Sequence, residues 1–164
     1  MQPAHIELLQ GMPIFGALRD DMLRLLLEQA REVRVAAGAC FFRENDPANS
    51  MFVLESGHVG VLKQWQGQDW RLHDLEAGDC FGEMALMDLL PRSATVLADV
   101  DCLAIELSSA DQMRLYERDV EQFALLQMNL GREVCRRLRD TDELLFRFRM
   151  GEHPASAPNV FRAG

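Results

Sequence analysis

The chain lacks any long apolar run, which is the feature that a membrane-spanning helix requires. Its apolar runs, such as Leu25–Leu27 and Met51–Leu54, are far shorter than the roughly 20 apolar residues that cross a bilayer. The N-terminal sequence MQPAHIELLQ also lacks the basic and apolar segments of a secretory signal. These absences predict a cytoplasmic protein without a membrane partner.

Cysteine is scarce and histidine is scattered, which weighs against a metal centre. The four cysteines form no CxxC pair, and Cys40, Cys80 and Cys102 fall in apolar, strand-like segments that predict buried free thiols. The four histidines include no H-x-H pair, so the metal ligands of a cupin-type enzyme are missing. No arrangement of Ser, His and Asp or of Cys and His suggests nucleophilic catalysis either. We expect no metal, no cofactor and no enzymatic activity, and a stoichiometric bound metal would revive the cupin alternative.

Lysine is almost absent, and acidic residues outnumber basic ones. The single lysine is Lys63, and 26 Asp and Glu against 17 Lys and Arg give a formal net charge of −9. Such a chain repels nucleic acid unless it carries a local basic patch. The arginine-rich stretch 132–149 alternates six Arg with four acids at helical spacing, which predicts a solvated helix face with intrahelical ion pairs. Direct DNA binding is therefore not expected.

The middle of the chain has the pattern of an antiparallel β protein. Apolar residues at helical spacing predict one helix over 18–30, and short apolar segments separated by turn residues follow it. In the turn Glu44–Pro47, Asn45 tolerates the left-handed backbone that such a turn needs. The density of strands predicts a sandwich or jelly roll. Eight strands are predicted, at 33–37, 40–43, 50–55, 58–65, 69–75, 79–82, 93–98 and 102–107.

Two helices are predicted after the strands. Ser108 is a suitable N-cap for a short helix, and Asp119 is suitable for a much longer one over about 119–149. Because a helix of about 30 residues would extend past its own domain, its apolar stripe predicts a homodimer. The alternative is a helix that folds back on its own barrel. The segment 151–164 reads as a flexible tail.

Residues 81–96, FGEMALMDLLPRSATV, carry the most specific signal in the chain. Gly82 and Glu83 stand at the start of a short predicted helix, and Arg92 and Ser93 follow after a short spacer. The first amides of a helix attract an anion, and arginine adds a bidentate, permanently charged contact. A carboxylate beside them suits a sugar hydroxyl. These residues together predict a site for a phosphate that carries a sugar.

The stretch resembles the phosphate-binding cassette of cyclic-nucleotide-binding domains, in the cAMP receptor protein/FNR-like family and in the regulatory subunits of cAMP-dependent protein kinase. That pattern is FGE-x-AL, a short spacer and PR-[AST]-A-[TS]-V, and this chain reads FGEMAL, four residues and PRSATV. The resemblance implies a mainly β fold with flanking helices. It consists of an antiparallel β jelly roll (a double-stranded β-helix) with an N-terminal helix, a short phosphate-binding helix and a long C-terminal helix. The implied domain is 1–150, with the jelly roll at about 33–107.

The resemblance also implies roles for the first part of the cassette. Gly82 would keep the backbone open for close approach to the ligand, and Glu83 would accept a hydrogen bond from the ribose 2′-hydroxyl. The amides of Met84, Ala85 and Leu86, at the start of the short helix, would face the cyclic phosphate. Arg92 would pair with the exocyclic phosphate oxygens.

The remaining implied contacts complete the phosphate cradle and select the base. The Ser93 hydroxyl and the backbone at Ala94 would close the cradle. The long helix contains RRLRDTDE, which is similar to a base-reading stretch of the cAMP receptor protein and places Thr141 on the adenine amino group. Asp142 stands where that family has serine, so it would either contact the base or face solvent. Ser93 at this position favours selectivity for cAMP over cGMP.

The resemblance thus implies a non-catalytic cyclic-nucleotide sensor, with cAMP as the favoured ligand. It would signal through a dimerising C-terminal helix to an effector that the sequence does not identify. One alternative is the ligand-binding portion of a regulator of the cAMP receptor protein/FNR type without its helix-turn-helix. Others are a binding domain for cGMP or cyclic di-GMP, and a structural dimerisation module with a vestigial pocket.

Overall fold

The computed structural model describes residues 3–151, and the predicted tail at 151–164 lies outside the described residues except for Gly151. The chain begins with helices that pack together before the first strand. Two aspartates open the second helix, where the positive end of the helix dipole favours them, and its apolar side is buried. These elements are α1 (Pro3–Gln10), a 3₁₀ turn (Pro13–Phe15) and α2 (Asp20–Leu27), the last shorter than the predicted 18–30.

Eight strands form two four-stranded antiparallel sheets within the described residues. One sheet has the order β1-β8-β3-β6 and the other the order β2-β7-β4-β5. The predicted jelly-roll fold is therefore confirmed, and Asn45 has the left-handed φ of 70° that its turn requires. The strands are β1 (Arg31–Val35), β2 (Cys40–Phe42), β3 (Ser50–Ser56), β4 (His58–Trp65), β5 (Gln68–Glu76), β6 (Cys80–Phe81), β7 (Thr95–Ala98) and β8 (Cys102–Ser108).

The core has two parts. Between the sheets, apolar side chains that include Leu54, Val59 and Leu75 are buried in one cluster. A second cluster joins the helices to the sheet of β3 and β8, and it includes Leu23 and Leu126. All four cysteines lie among the described residues as free thiols; Cys80 and Cys102 are buried as predicted, but Cys40 is only half-buried.

Three further helices carry the site and its connection to the rest of the fold. The helix α3 (Met84–Asp88) is short and ends at Leu89, which has a left-handed φ of 58°. The helix α4 (Ser109–Arg118) begins with a capping box formed by Ser108 and Asp111. The helix α5 (Val120–Arg149) is capped by Asp119, whose side chain accepts hydrogen bonds from two backbone amides.

The two halves of α5 differ in burial. Its first half is fastened to the N-terminal helices, since Arg19 pairs with Asp119 at 3.0 Å and Asn129 donates to the Gly16 carbonyl at 2.9 Å. Leu126 and Leu130 of this half are buried in the core, so the fold-back alternative describes the first half of the helix. The apolar residues of the second half that are at least half exposed are Leu138, Leu145, Phe146 and Phe148. Within residues 3–151, no helix is both long enough and apolar enough to cross a membrane.

Candidate functional site

A cavity of about 500 Å³ lies between β4 and β5, the segment 81–96 and α5. Its size is that of a small-molecule pocket. Lys63, His73 and Arg137 also line it, although they were not predicted from the sequence as site residues. The cavity brings together all the residues predicted for the site: Gly82, Glu83, Met84, Ala85, Arg92, Ser93, Ala94 and Thr141.

Gly82 makes the sharp turn from β6 into α3. Its φ is 80°, a conformation that residues with a side chain rarely adopt. A Cβ at this position would stand 2.5 Å from Nη1 of Arg92 and 3.4 Å from the Phe42 ring. The guanidinium of Arg92 therefore occupies the space that a side chain at position 82 would fill, and glycine is required there for Arg92 to lie in this position.

Arg92 is buried, with 5% of its surface exposed, and it is held by neutral groups. Its Nη1 donates to the Ser50 carbonyl at 2.6 Å and to the Gly82 carbonyl at 3.2 Å, and its Nη2 donates to the Ser50 hydroxyl at 3.1 Å. The guanidinium carbon lies 4.0 Å from the centre of the Phe42 ring, in a cation–π contact. The buried Nε has no hydrogen-bond partner within the described part of the chain. Burial lowers the pKa of Arg92, although nearby carboxylates such as Glu106 oppose that change.

Glu83, only 2% exposed, is paired with Arg137 of α5. Its Oε1 lies 2.5 Å from Nη1 of Arg137, and the same arginine donates to Oε1 of Glu133 at 2.9 Å and to the carbonyl of Cys80 at 3.1 Å. The intrahelical ion pairs predicted for 132–149 form at Arg136, but the prediction of a solvated face is wrong at Arg137, because this side chain contacts Cys80 of β6 and Glu83 at the start of α3. Burial alone would lower the pKa of Arg137, but the Glu83 carboxylate and the other acidic groups around it raise it overall.

The ion pair also shapes the environment of its neighbours. Burial, and next the charge of Glu83, raise the pKa of Cys80 to about 12, so this thiol stays protonated and unreactive. Burial, and next the charge of Arg137, lower the pKa of His73 to about 4, so the imidazole on the cavity wall is neutral at pH 7. This part of the wall thus carries the Glu83–Arg137 ion pair and a neutral imidazole.

Thr141 lies on the cavity wall one helical turn after Arg137. Its hydroxyl donates to the Arg137 carbonyl at 2.8 Å, so the oxygen has lone pairs left to accept a further hydrogen bond. Asp142 does not line the cavity. The spacing of four residues between Arg137 and Thr141 puts both on the same helix face, and this signal could have placed Arg137 in the site from the sequence.

Among residues 3–151, a group of side chains of the kind that bind metals lies outside the cavity. The ligand atoms of His58, Asp74 and Asp99 are all within 4.8 Å of one another. Arg71 donates to Asp74 at 2.5 Å and also pairs with Asp99, while His58 contacts Asp99 at 2.7 Å. A guanidinium already neutralises these carboxylates, so the arrangement is a surface ion-pair network.

The sequence of this chain is similar to the sequences of known proteins. Residues 32–119 match the sequence profile of the family described as "Cyclic nucleotide-binding domain". The chain is 30% identical over 135 residues to the cyclic AMP receptor protein of Thermus thermophilus, an alignment that covers 82% of this chain and 61% of that protein. It is 28% identical over 107 residues to the regulatory subunit of cAMP-dependent protein kinase of Aspergillus niger, covering 65% of this chain and 26% of that subunit. The chain thus spans less than two thirds of the length of these relatives.

Solved structures of proteins with similar sequences have the same fold as this chain. The catabolite activator protein of Thermus thermophilus superposes with a TM-score of 0.72 at 29% identity, covering 84% of this chain and 63% of that one. The N-terminal domain of a transcriptional regulator from Streptomyces coelicolor superposes with a TM-score of 0.70 at 28% identity, covering 84% of this chain and 93% of that one.

Proposed function

Because the chain belongs to the cyclic nucleotide-binding domain family, we propose that its cavity binds cAMP and that the protein is a non-catalytic sensor. The observation that carries the proposal is the seating of Arg92. A buried guanidinium held by neutral carbonyls keeps its charge, and its Nε lacks a partner among the described residues. A buried charge of this kind is stabilised by a bound anion.

The surroundings of Arg92 suit a cyclic phosphate with its sugar. Ser93 and Ala94 lie on the same wall, and α3 begins at Met84, so hydroxyl and amide donors converge on one part of the cavity. Glu83 is proposed to accept from the ribose 2′-hydroxyl. An ionised carboxylate offers about four lone-pair sites, so Glu83 can accept from a hydroxyl while its ion pair with Arg137 persists.

The choice of cAMP depends on Thr141. The hydroxyl proton of Thr141 is used by the Arg137 carbonyl, so the oxygen presents a lone pair to the cavity. The 6-position of adenine is a donor amino group, whereas that of guanine is an acceptor carbonyl. The Thermus relative is described as a cyclic AMP receptor, which supports the same choice, although cGMP-dependent kinases are also among the relatives.

We propose that the signal leaves the cavity through α5. Arg137 of this helix holds Glu83 on the cavity wall, so a ligand that contacts Glu83 also acts on the helix. Such a switch requires that the ligand bind one position of the helix more tightly than another. The second half of α5 exposes Leu138, Leu145 and Phe148, and we propose that these residues form a homodimer seam in the cytoplasm.

A second candidate is the ligand-binding portion, over about 1–150, of a transcription regulator. The match to the N-terminal domain of a Streptomyces regulator, which the alignment covers to 93%, favours it. A helix-turn-helix encoded directly downstream of this sequence would establish that candidate. In that case the partner that responds to the movement of α5 would be the DNA-binding domain. If no such domain is encoded, we propose that the partner is a separate effector protein.

Calorimetric titration with cAMP, cGMP and cyclic di-GMP tests the proposal. Micromolar binding, roughly −8 kcal/mol, is expected for cAMP. Arg92→Ala should weaken it by at least about tenfold, since each hydrogen bond to a charged group contributes about 1.5–3 kcal/mol. Arg34→Ala is the matched control, because this arginine is exposed on β1 and its guanidinium pairs with Glu32 away from the cavity. Absence of heat with every ligand would overturn the proposal, and binding that survives Arg92→Ala would move the site elsewhere.

A further inference from the structure

Lys63, the one lysine of the chain, connects two segments at the edge of the cavity. It extends from β4, and its Nζ lies 2.6 Å from Oε1 of Glu44 and 2.7 Å from the carbonyl oxygen of Ser93. The second carboxylate oxygen of Glu44 accepts from the backbone amide of Gln64 at 3.0 Å. Two of the three donors of the ammonium group are therefore accounted for by Glu44 and Ser93.

The same part of the cassette is held by backbone hydrogen bonds to the turn after β2. The Asn45 amide donates to the Arg92 carbonyl at 2.9 Å, and the Arg92 amide donates to the Asp46 carbonyl at 2.9 Å. The Glu44 amide donates to the Thr95 hydroxyl at 2.9 Å. These bonds hold the residues on either side of the peptide unit between Ser93 and Ala94, and Lys63 holds the carbonyl of that unit.

We propose that Glu44 and Lys63 form a clasp that orients the Ser93–Ala94 peptide for the phosphate of the ligand. This inference depends on the proposed function. A peptide unit is planar, so a fixed Ser93 carbonyl also fixes the direction of the Ala94 amide, which is one of the proposed phosphate donors. Lys63 is on this view a positioning residue that acts through the cassette backbone.

The charges of the clasp agree with this role. The Lys63 ammonium and the Gln64 amide hold the pKa of Glu44 below its usual range, so the carboxylate is ionised at neutral pH. An ammonium already neutralised by a carboxylate at 2.6 Å contributes little net positive charge to the cavity. A role in positioning the peptide therefore explains the place of Lys63 at the cavity better than a direct contact with the phosphate does.

Two substitutions separate positioning from direct contact. If Lys63 positions the peptide, Glu44→Gln and Lys63→Met should each weaken cAMP binding, by about three- to tenfold, as the loss of one hydrogen bond predicts. Lys63→Arg should retain most of the affinity, since a guanidinium can still donate to Glu44 and Ser93. If Lys63 instead contacted the phosphate, Glu44→Gln would release the ammonium and tighten binding, and that result would overturn the proposal.

The double variant and the second ligand provide further readouts. Because the two residues act as one unit, Glu44→Gln/Lys63→Met should bind no more weakly than Lys63→Met alone. The ratio of cAMP to cGMP affinity should not change, since the clasp acts on the phosphate end of the site. Arg34→Met, which removes an exposed ion pair on β1, is the control. Additive losses or an altered ratio would contradict the clasp.

Hydrogen exchange on the ligand-free protein tests the clasp without any nucleotide. Exchange at the amides of Asn45 and Arg92, which join the turn after β2 to the cassette, should quicken in Glu44→Gln and in Lys63→Met but remain slow in Arg34→Met. Unchanged exchange in both clasp variants would overturn the inference. A wild-type protein that binds no cyclic nucleotide would overturn the proposed function instead, so the two failures are distinguishable.

Discussion

Replacement of Arg137 by methionine should strongly destabilise the ligand-free protein. The substitution leaves the buried carboxylate of Glu83 without the guanidinium that now lies 2.5 Å from its Oε1. Removal of one partner of a buried ion pair costs about 3–5 kcal/mol. The side chain of Arg137 is 13% exposed, so some water reaches the pair, and we expect the lower end, about 3 kcal/mol.

Urea unfolding followed by circular dichroism measures this effect. With a slope of about 2 kcal/mol per molar urea, the unfolding midpoint should fall by about 1–2 M. Arg139→Met is the matched control, because Arg139 lies two residues further along the same helix and is exposed. The same substitution at that position should change stability by no more than about 0.5 kcal/mol.

A double variant examines the physical cause. Glu83→Gln removes the charge that Arg137→Met leaves uncompensated, so Glu83→Gln/Arg137→Met should be more stable than Arg137→Met alone. Destabilisation in the double variant equal to the sum of the two single effects would refute the reasoning. An Arg137→Met protein as stable as Arg139→Met would refute it as well.

Two further substitutions act on Arg92 and on the base. Gly82→Ala should lower the free energy of unfolding by about 1–2 kcal/mol, because the φ of residue 82 is 80°. It should also abolish cAMP binding, because the added methyl would displace Arg92. Denaturant unfolding and calorimetry measure the two effects, and wild-type affinity for cAMP would contradict the displacement of Arg92. Thr141→Val should lower cAMP affinity by about three- to tenfold, as one lost hydrogen bond predicts, without lowering cGMP affinity. Equal losses of affinity for the two ligands in competition binding would show that Thr141 does not contact the base selectively.

Most of the secondary structure could be predicted because its signals are local. The eight strands follow from short apolar segments between turn residues, and the observed bounds differ from the predicted ones by two residues or fewer. Ser108 and Asp119 cap their helices as predicted, since capping depends on residues within one helical turn. The cassette residues are also close in sequence, and the structure places them together on the wall of one cavity.

The burial of α5 could not be predicted in the same way. The apolar stripe is continuous in the sequence, but the structure buries Leu126 and Leu130 and leaves Leu138 and Leu145 exposed. Periodicity shows which face of a helix is apolar, and it contains no information on what covers that face. The difference arises where α5 leaves the core formed by the N-terminal helices.

The sequence by itself determined the jelly-roll class, the caps of the last two helices and the cassette at 81–96, because each depends on residues that lie close together along the chain. The tertiary structure alone decided which distant charges meet at the cavity. Arg137 contacts Glu83 across 54 residues of chain, and Lys63 contacts Ser93 across 30. The four-residue spacing puts Arg137 on the helix face of Thr141, but the local pattern does not show whether an arginine or a lysine is solvated or bound to a buried carboxylate or carbonyl. That distinction depends on the contact of α5 with the start of α3 and on the pairing of β4 with β7, which bring these groups within hydrogen-bond distance.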